Sequence, residues 1–371
     1  MTIKQKPIVK PQQQLVLQTI RHALFASQLS IDSLPEAKFA SALKCAKEQT
    51  VQGLFCASLD NKNVSLTQHD AIQTFLTLES VRKTNEKINF YTLQLTALLK
   101  KNNIKFFIVK GQTLAALYPR PDARLAGDID FYCYPEDVDK TIKILTDEWH
   151  VNINRGESNQ HYAFTHNGIP FELHFCLFHF VASQNSTYFN HLLRTQPLST
   201  IQINHSCIPT LNPTMNLIFT FLHLFHHLIE LGVGLRQFCD VAILCHRTHA
   251  QINNALLTEI LDRLDFTSAF KAIGTLLVDH LDLPANEFPL PLTKHDRRKT
   301  PYILRIVFKR GNFGQYGRTT AVRSGLGYYI EQSFIKLSHY FHLYSLAPTE
   351  NKAVLTKEIP SKILHLLRPT K

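Results

Sequence analysis

The chain has 371 residues, enough for two or three domains, and 44% of them are hydrophobic, which is ordinary for a packed globular protein. Its 40 Lys and Arg against 29 Asp and Glu give a formal net charge of +11, which favours a polyanionic partner such as a nucleoside triphosphate, a nucleic acid or an anionic membrane surface. No segment reaches the ~20 apolar residues of a transmembrane helix, and no signal peptide is present, so we expect a cytoplasmic protein with no membrane partner.

The cysteines support the same compartment. The chain has seven, with no Cys-x-x-Cys pair and mostly apolar neighbours: Cys45, Cys56, Cys133, Cys176, Cys207, Cys239 and Cys245. A dispersed, odd set of this kind is typical of reduced core thiols in a cytosolic protein. The basic residues are scattered without a long Lys/Arg run, so a basic protein with no polyanionic partner fits the composition equally well.

The first part of the chain has the apolar spacing of helices. Leu15, Ile20 and Leu24 lie at helical intervals, and the segment 67–101 is predicted as one long helix capped by Thr67. The period then changes. The next elements are predicted as a strand over 104–109, a short helix over 114–118, an irregular loop over 119–122, a strand over 128–134 and a helix over 136–149.

Two aspartates lie two residues apart in the second of these strands. Because strand side chains alternate, Asp128 and Asp130 point to one face, while Ile129 and Phe131 point to the other. Neighbouring carboxylates repel unless a cation lies between them, and Mg²⁺ prefers carboxylate and phosphate oxygens. With the glycine turn at Gly111, the pair predicts a Mg²⁺ site beside a phosphate-binding turn. The alternative is a solvated turn or a helix cap.

A hairpin follows. Asn167-Gly168 separates two β-type runs, which is the residue pair that a type I′ turn favours. Apolar residues alternate along the second arm from Phe171, so Glu172 and His174 share the opposite face. We expect Glu172 to be a third carboxylate of the metal site and His174 to be a positioning or packing group. An exposed strand face that carries a glutamate for solubility is the alternative.

From 206 to 371 the pattern is again helical, with a start signal at Asn212. His223, His226 and His227 lie on one predicted helix, and the i, i+3 spacing permits a zinc site. No carboxylate or cysteine has a convincing partner spacing, so histidine contacts between helices are the favoured interpretation.

Farther along, Arg236 and Asp240 are four residues apart and predict an ion pair within one helix, which supports the catalytic core or reaches the nucleotide base.

The predicted elements divide the chain into a helical N-terminal segment (1–101), a core with a small mixed β-sheet (102–205) and a helical C-terminal domain (206–371). This pattern predicts an α+β fold.

Several motifs together resemble a known family. They are Lys110-Gly111, the Leu-Ala-Ala-Leu-Tyr helix after it, Arg124, Gly127-Asp-Ile-Asp130, Glu172-Leu-His174, the block from His223 to Asp240, and Gly311-Asn-Phe-Gly314. From roughly residue 80 to residue 330 the chain resembles the uncharacterised bacterial nucleotidyltransferase family of the polymerase-β-like superfamily. The resemblance implies a nucleotidyltransferase core and a Mg²⁺-dependent enzyme that transfers a nucleoside monophosphate from a nucleoside triphosphate to a hydroxyl acceptor.

The resemblance also implies roles for individual residues. Asp128 and Asp130 would hold Mg²⁺, and Glu172 would share a second metal ion or accept the proton of the attacking hydroxyl. His174, together with the Arg236 and Asp240 pair, would support the site.

The turn carries the nucleotide contacts that the resemblance implies. Gly111 and Gln112 would bring backbone amides near the triphosphate, with Lys110 and Arg124 as charge partners. The superfamily prefers Gly-Ser or Gly-Gly in this turn, so Gln112 replaces a serine hydroxyl.

That departure favours an alternative, a nucleotide-binding or partner-binding protein that kept the fold and lost the chemistry. Nucleic acid is not the favoured partner, because the sequence has no basic patch interleaved with aromatic residues.

Overall fold

The computed structural model describes residues 9–60, 64–156, 158–318 and 325–361. It confirms the predicted α+β fold, with a small mixed sheet between helical segments. Residues 362–371 of the predicted helical C-terminal domain lie outside the described residues. Among those described, no helix is both long and apolar enough to cross a bilayer.

The N-terminal segment is helical, as predicted. Its helices are α1 (Pro11–Phe25), α2 (Glu36–Glu48), α3 (Gln52–Leu59) and α4 (Gln68–Lys101). The Thr67 hydroxyl caps α4 by accepting a hydrogen bond from the Asp70 amide, at 3.2 Å. Thr50 has a φ of 55°, and this left-handed residue separates α2 from α3.

The sheet has four strands in the order β1-β2-β4-β3. They are β1 (Phe106–Val109), β2 (Ile129–Cys133), β3 (His161–His166) and β4 (Ile169–His174). The neighbours β1 and β2 are antiparallel, β2 and β4 are parallel, and β3 and β4 form the predicted hairpin. Asn167 and Gly168 both have positive φ, 50° and 75°, as a type I′ turn requires.

Two short helices differ from their predicted ranges. The helix α5 (Gly111–Ala115) begins at the glycine itself, three residues before the predicted start, because the Lys110 carbonyl accepts the Thr113 amide at 3.0 Å. The helix α6 (Val138–Trp149) follows a 3₁₀ turn over Pro135–Asp137, which shortens the predicted helix at its N-terminus.

A second hairpin crosses the predicted boundary between residues 205 and 206. Its strands are β5 (Leu198–Ile203) and β6 (Ser206–Leu211), which follow α7 (Ser183–Thr195). The Thr210 hydroxyl donates a hydrogen bond to the Ile108 carbonyl of β1, at 2.8 Å. We therefore propose a core that runs from residue 102 to Leu211 and follows the helical N-terminal segment.

The C-terminal helices begin after Asn212, whose side-chain oxygen accepts the Met215 amide at 3.1 Å. They are α8 (Pro213–Glu230), α9 (Leu235–Thr248), α10 (Asn254–Leu264), α11 (Thr267–Leu281), α12 (Thr300–Arg310), α13 (Leu326–Leu343) and α14 (Pro348–Ala353).

The sheet separates two apolar clusters. On one face Phe131 and Phe171 pack with Leu95 of α4 and Leu145 of α6. On the other face the cluster includes Phe107 and continues through the C-terminal helices to α1 and α3. The carboxylates of β2 and β4 alternate with Phe131 and Phe171, so they point to the second face, which is covered by the C-terminal helices.

Candidate active site

The site residues predicted on β2 and β4 lie together on the face of the sheet that is covered by the C-terminal helices. The parallel register places Asp130 beside Glu172, and Tyr132 beside His174. The hairpin register places His161 opposite His174. Asp128 lies one residue before β2 rather than inside it. The structure thus brings the three predicted carboxylates to one cavity of about 340 Å³, a volume in the range of small-molecule sites.

The turn between β1 and α5 forms one edge of this cavity. Lys110 has φ 54° and ψ −144°, a conformation that is strained for a residue with a side chain. Gly111 has φ 38°, and a Cβ there would lie 3.4 Å from the Asp128 carbonyl oxygen. The turn therefore lies against the start of β2, with backbone and lysine side chain both facing the carboxylates.

Asp130 is the centre of the charge network. It is buried, and its Oδ1 accepts hydrogen bonds from Lys110 Nζ at 2.9 Å and from His174 Nε2 at 2.8 Å. His174 Nε2 also lies 3.2 Å from Glu172 Oε2, and His161 Nε2 lies 3.8 Å from Glu172 Oε1. His174 therefore bridges two carboxylates, and its positioning role stays a prediction.

The pKa values follow from this arrangement. Burial and the charge of Asp130 raise the pKa of Asp128 to about 6. Burial alone would raise the pKa of Asp130, but Lys110 and His174 hold it well below its usual range. Burial opposes the charge of His174, yet its hydrogen bonds to Asp130 and Glu172 raise its pKa. Asp128 is thus more easily protonated than Asp130.

The donor set fits a divalent cation. Asp128, Asp130 and Glu172 supply oxygen ligands of the kind that Mg²⁺ takes, and the charge of Asp130 adds to burial in raising the pKa of Asp128. Within the described residues, the ligand atoms of His161, Glu172 and His174 also lie within 4.8 Å of one another. An imidazole pair therefore borders the carboxylates.

Helices α8 and α9 form the opposite wall of the cavity. The predicted ion pair between Arg236 and Asp240 is wrong. Asp240 does not pair with Arg236. It accepts a bidentate pair from Arg124, with Oδ1 2.6 Å from Nε and Oδ2 2.8 Å from Nη2, and the Tyr118 hydroxyl at 2.6 Å. The partners lie 116 residues apart, so no spacing rule could find this pair.

Arg236 has a different contact. Its Nη1 donates a hydrogen bond to the Leu125 carbonyl at 2.9 Å, and burial together with the charge of Arg124 lowers its pKa. Among the described atoms, Arg124 Nη1, Arg236 Nε and Gln237 Oε1 are buried without a partner, and all three side chains line the cavity. Unpaired buried polar atoms are costly, so they indicate a ligand-binding wall.

Gln112 turns away from the cavity. Its side chain is buried against α4, where its amide nitrogen contacts Asn89 Oδ1. Its predicted nucleotide contact can therefore come from the backbone alone.

The three helical histidines do not form a metal site of their own within the described chain. The rings of His223 and His227 meet edge to face at 4.4 Å, and His227 contacts Phe313 at 4.8 Å. Burial is the main cause that lowers the pKa values of His223 and His227 well below the usual range, which favours the neutral form of both rings.

His161, which the sequence did not mark as a site residue, also lines the cavity. His161 could have been found, because counting equally back from the two-residue turn places it opposite His174. Phe313 lines the cavity from the Gly311–Gly314 loop with a φ of 50°. In that loop Arg318 Nε donates to the Gly314 carbonyl at 2.6 Å.

A glycine turn that faces paired carboxylates on a small mixed sheet is the arrangement of a nucleotidyltransferase core. Residues 35–282 match the family described as "Uncharacterised nucleotidyltransferase". This match covers more than half of the chain, and the chain belongs to that family.

No curated protein matches the chain. A solved structure, an antigenic nucleotidyltransferase-like protein from Paracoccidioides brasiliensis, is similar at 13% sequence identity with a TM-score of 0.37. The match covers 57% of this chain and 97% of that one. At this TM-score the likeness adds nothing to the fold described above.

Proposed function

We propose that the protein is a Mg²⁺-dependent nucleotidyltransferase that transfers a nucleoside monophosphate from a nucleoside triphosphate to a hydroxyl acceptor in the cytoplasm. The observation that carries the proposal is the convergence of Asp128, Asp130 and Glu172 on the cavity edged by Lys110 and Gly111. Membership of the nucleotidyltransferase family supports the reaction class.

Asp128, Asp130 and Glu172 would hold the metal ion. When bound, Mg²⁺ supplies the positive charge that offsets the triphosphate and the departing pyrophosphate.

Glu172 is the proposed proton acceptor. About 29% of its side chain is exposed, and His174 holds Oε2, so the carboxylate is both oriented and open to an acceptor. The acceptor oxygen attacks the α-phosphorus and its proton passes to Glu172. The bond from the α-phosphorus to the bridging oxygen breaks, and pyrophosphate leaves with that electron pair.

Lys110 has two successive partners in this proposal. Its ammonium is held on Asp130 at 2.9 Å, and its own pKa, which burial would lower, is raised by that carboxylate. A cation bound to Asp130 would weaken this ion pair and free the ammonium for the phosphates. Arg124 Nη1 and Arg236 Nε, which are buried and unpaired among the described atoms, supply further donors to the same ligand.

An inactive nucleotide-binding protein is the second candidate. It is favoured by Gln112, which supplies no side-chain contact to the cavity where the superfamily prefers a small residue.

A pyrophosphate-release assay separates the two candidates. Each of the four Mg²⁺-nucleoside triphosphates is incubated with a panel of sugars and polyols, using the wild type and the Glu172→Gln variant. We expect pyrophosphate from the wild type alone, with nucleotide binding kept in Glu172→Gln because Asp128 and Asp130 would still hold the metal ion. Binding in both proteins without pyrophosphate from either would favour the inactive candidate. A Glu259→Gln variant, altered on α10 away from the cavity, is the matched control.

A further inference from the structure

One helix carries an unusual run of exposed apolar side chains. Along α13 and the turn after it, the exposed large residues are Tyr329 and a regularly spaced set of five: Ile330, Phe334, Leu337, Phe341 and Tyr344. Their spacing alternates between four and three residues, so they form a single stripe. Phe334 is 71% exposed and Phe341 is 80% exposed. A contiguous exposed patch of this kind marks an interaction surface rather than ordinary surface variation.

The opposite face of α13 is anchored to the rest of the protein. Tyr340 donates a hydrogen bond to Glu230 of α8 at 2.8 Å, and Lys336 forms an ion pair with the same carboxylate. His339 lies 3.3 Å from the Ile229 carbonyl. The apolar stripe is therefore presented by a helix whose orientation is fixed by its other face.

A basic stripe runs beside the apolar one. Arg298, Arg305 and Lys309 are exposed at helical intervals on and just before α12. Tyr302, which lies on the same helical face, stacks on His342 at 4.6 Å, and the His342 ring meets Phe341 at 5.7 Å. This chain of rings joins the basic stripe to the apolar stripe.

The other end of the two helices shows the same proximity. Arg310 interacts electrostatically with Glu331, the one acidic residue in the sequence of α13. The sequence of α12 has no acidic residue. The two helices thus run antiparallel and present apolar and basic groups side by side.

We propose that the face formed by α12 and α13 docks the protein on an anionic lipid surface. Aromatic and aliphatic side chains flanked by Lys and Arg are the combination that binds the interface of a bilayer, where the apolar groups enter the headgroup boundary and the cations meet anionic lipids. A second copy of the chain fits less well, because a dimer through this stripe would bring two basic stripes together.

The proposal concerns a surface contact, which needs no membrane-spanning segment. The net charge of +11 is compatible with an anionic membrane surface, whereas the expectation of no membrane partner rested on the lack of a spanning segment and of a signal peptide. It is independent of the nucleotidyltransferase reaction.

Vesicle flotation with the full chain tests the proposal. Vesicles of phosphatidylcholine alone are compared with vesicles that also contain phosphatidylserine. We expect binding to the second kind alone, weakened by added salt, and weakened about tenfold or more by Phe334→Ser with Phe341→Ser. Arg305→Glu with Lys309→Glu is expected to weaken binding as well.

The matched control lies on a different helix, α4, where Phe75 and Leu76 are each 59% exposed. Phe75→Ser with Leu76→Ser is expected to leave vesicle binding unchanged. An independent readout uses Phe341→Trp, whose fluorescence brominated lipids should quench, while the native Trp149 of α6 should not be quenched.

Three results would overturn the proposal. They are no binding of the wild type to either vesicle, equal binding by the Phe334→Ser, Phe341→Ser protein, and a dimer in light scattering that this double substitution dissociates. The last result would assign the stripe to a second copy of the chain.

Discussion

The two walls of the cavity balance their charges in different ways. On the strand wall, Asp128, Asp130 and Glu172 are crowded together and share Lys110 and His174 as positive partners. On the helix wall, Arg124 and Asp240 form a closed bidentate pair that is almost fully buried. The strand wall therefore presents carboxylates to a ligand. The helix wall is stabilised by its own ion pair, and it offers a ligand only the nitrogen atoms that lack a partner among the described residues.

Asp240→Asn tests the structural character of the helix wall and should have the largest effect. The substitution leaves Arg124 buried without its carboxylate, next to the charge of Arg236. We expect the free energy of unfolding to fall by about 3–5 kcal/mol, measured by urea denaturation. Asp122→Asn, which disturbs only the exposed pair with Arg120, should cost under about 1 kcal/mol. Equal costs would contradict the contrast between buried and exposed pairs.

His174→Gln tests whether the imidazole positions the carboxylates of the strand wall. The imidazole holds Asp130 and Glu172 together, so its loss should lower kcat by about 10-fold to 100-fold with little change in nucleotide affinity. His166→Gln on the neighbouring strand, whose ring stacks on Trp149, is the control. A fall in nucleotide affinity with kcat unchanged would show that His174 contacts the nucleotide instead.

Lys110→Met tests whether the positive partner of Asp130 on the strand wall also contacts the ligand. We expect nucleotide affinity to fall about tenfold, measured by calorimetry, since one charge-assisted contact to phosphate is lost. Lys105→Met, at an exposed position just before β1, should have no effect. Unchanged affinity in Lys110→Met would confine this lysine to neutralising Asp130.

The strand wall could be predicted from the sequence because its signals are local. The Asp128 and Asp130 spacing and the Asn167-Gly168 turn each fix a face or a register within a few residues. The hairpin also brought Glu172 to the correct face. Nothing local in the sequence specifies that β2 pairs with β4, and the structure supplies this parallel register.

The helix wall could not be predicted in the same way. The i, i+4 rule favoured Arg236 for Asp240, but a tertiary contact placed Arg124 there instead. Likewise, nothing local shows that Gln112 turns toward α4, because its partner Asn89 lies 23 residues earlier. The exposed stripe on α13 was visible in the sequence only as apolar periodicity, which a buried helix shares.

Calorimetry can test whether the nucleotide binds at the carboxylates without any knowledge of the acceptor. Each Mg²⁺-nucleoside triphosphate is titrated into the wild type and into the Asp128→Asn, Asp130→Asn protein. An Asp147→Asn variant, changed at an exposed carboxylate of α6, is the control. We predict Mg²⁺-dependent binding of at least one nucleotide to the wild type and to the control, and its loss in the double variant. Equal binding to the double variant, or no binding to the wild type, would contradict the placement of the nucleotide at these carboxylates.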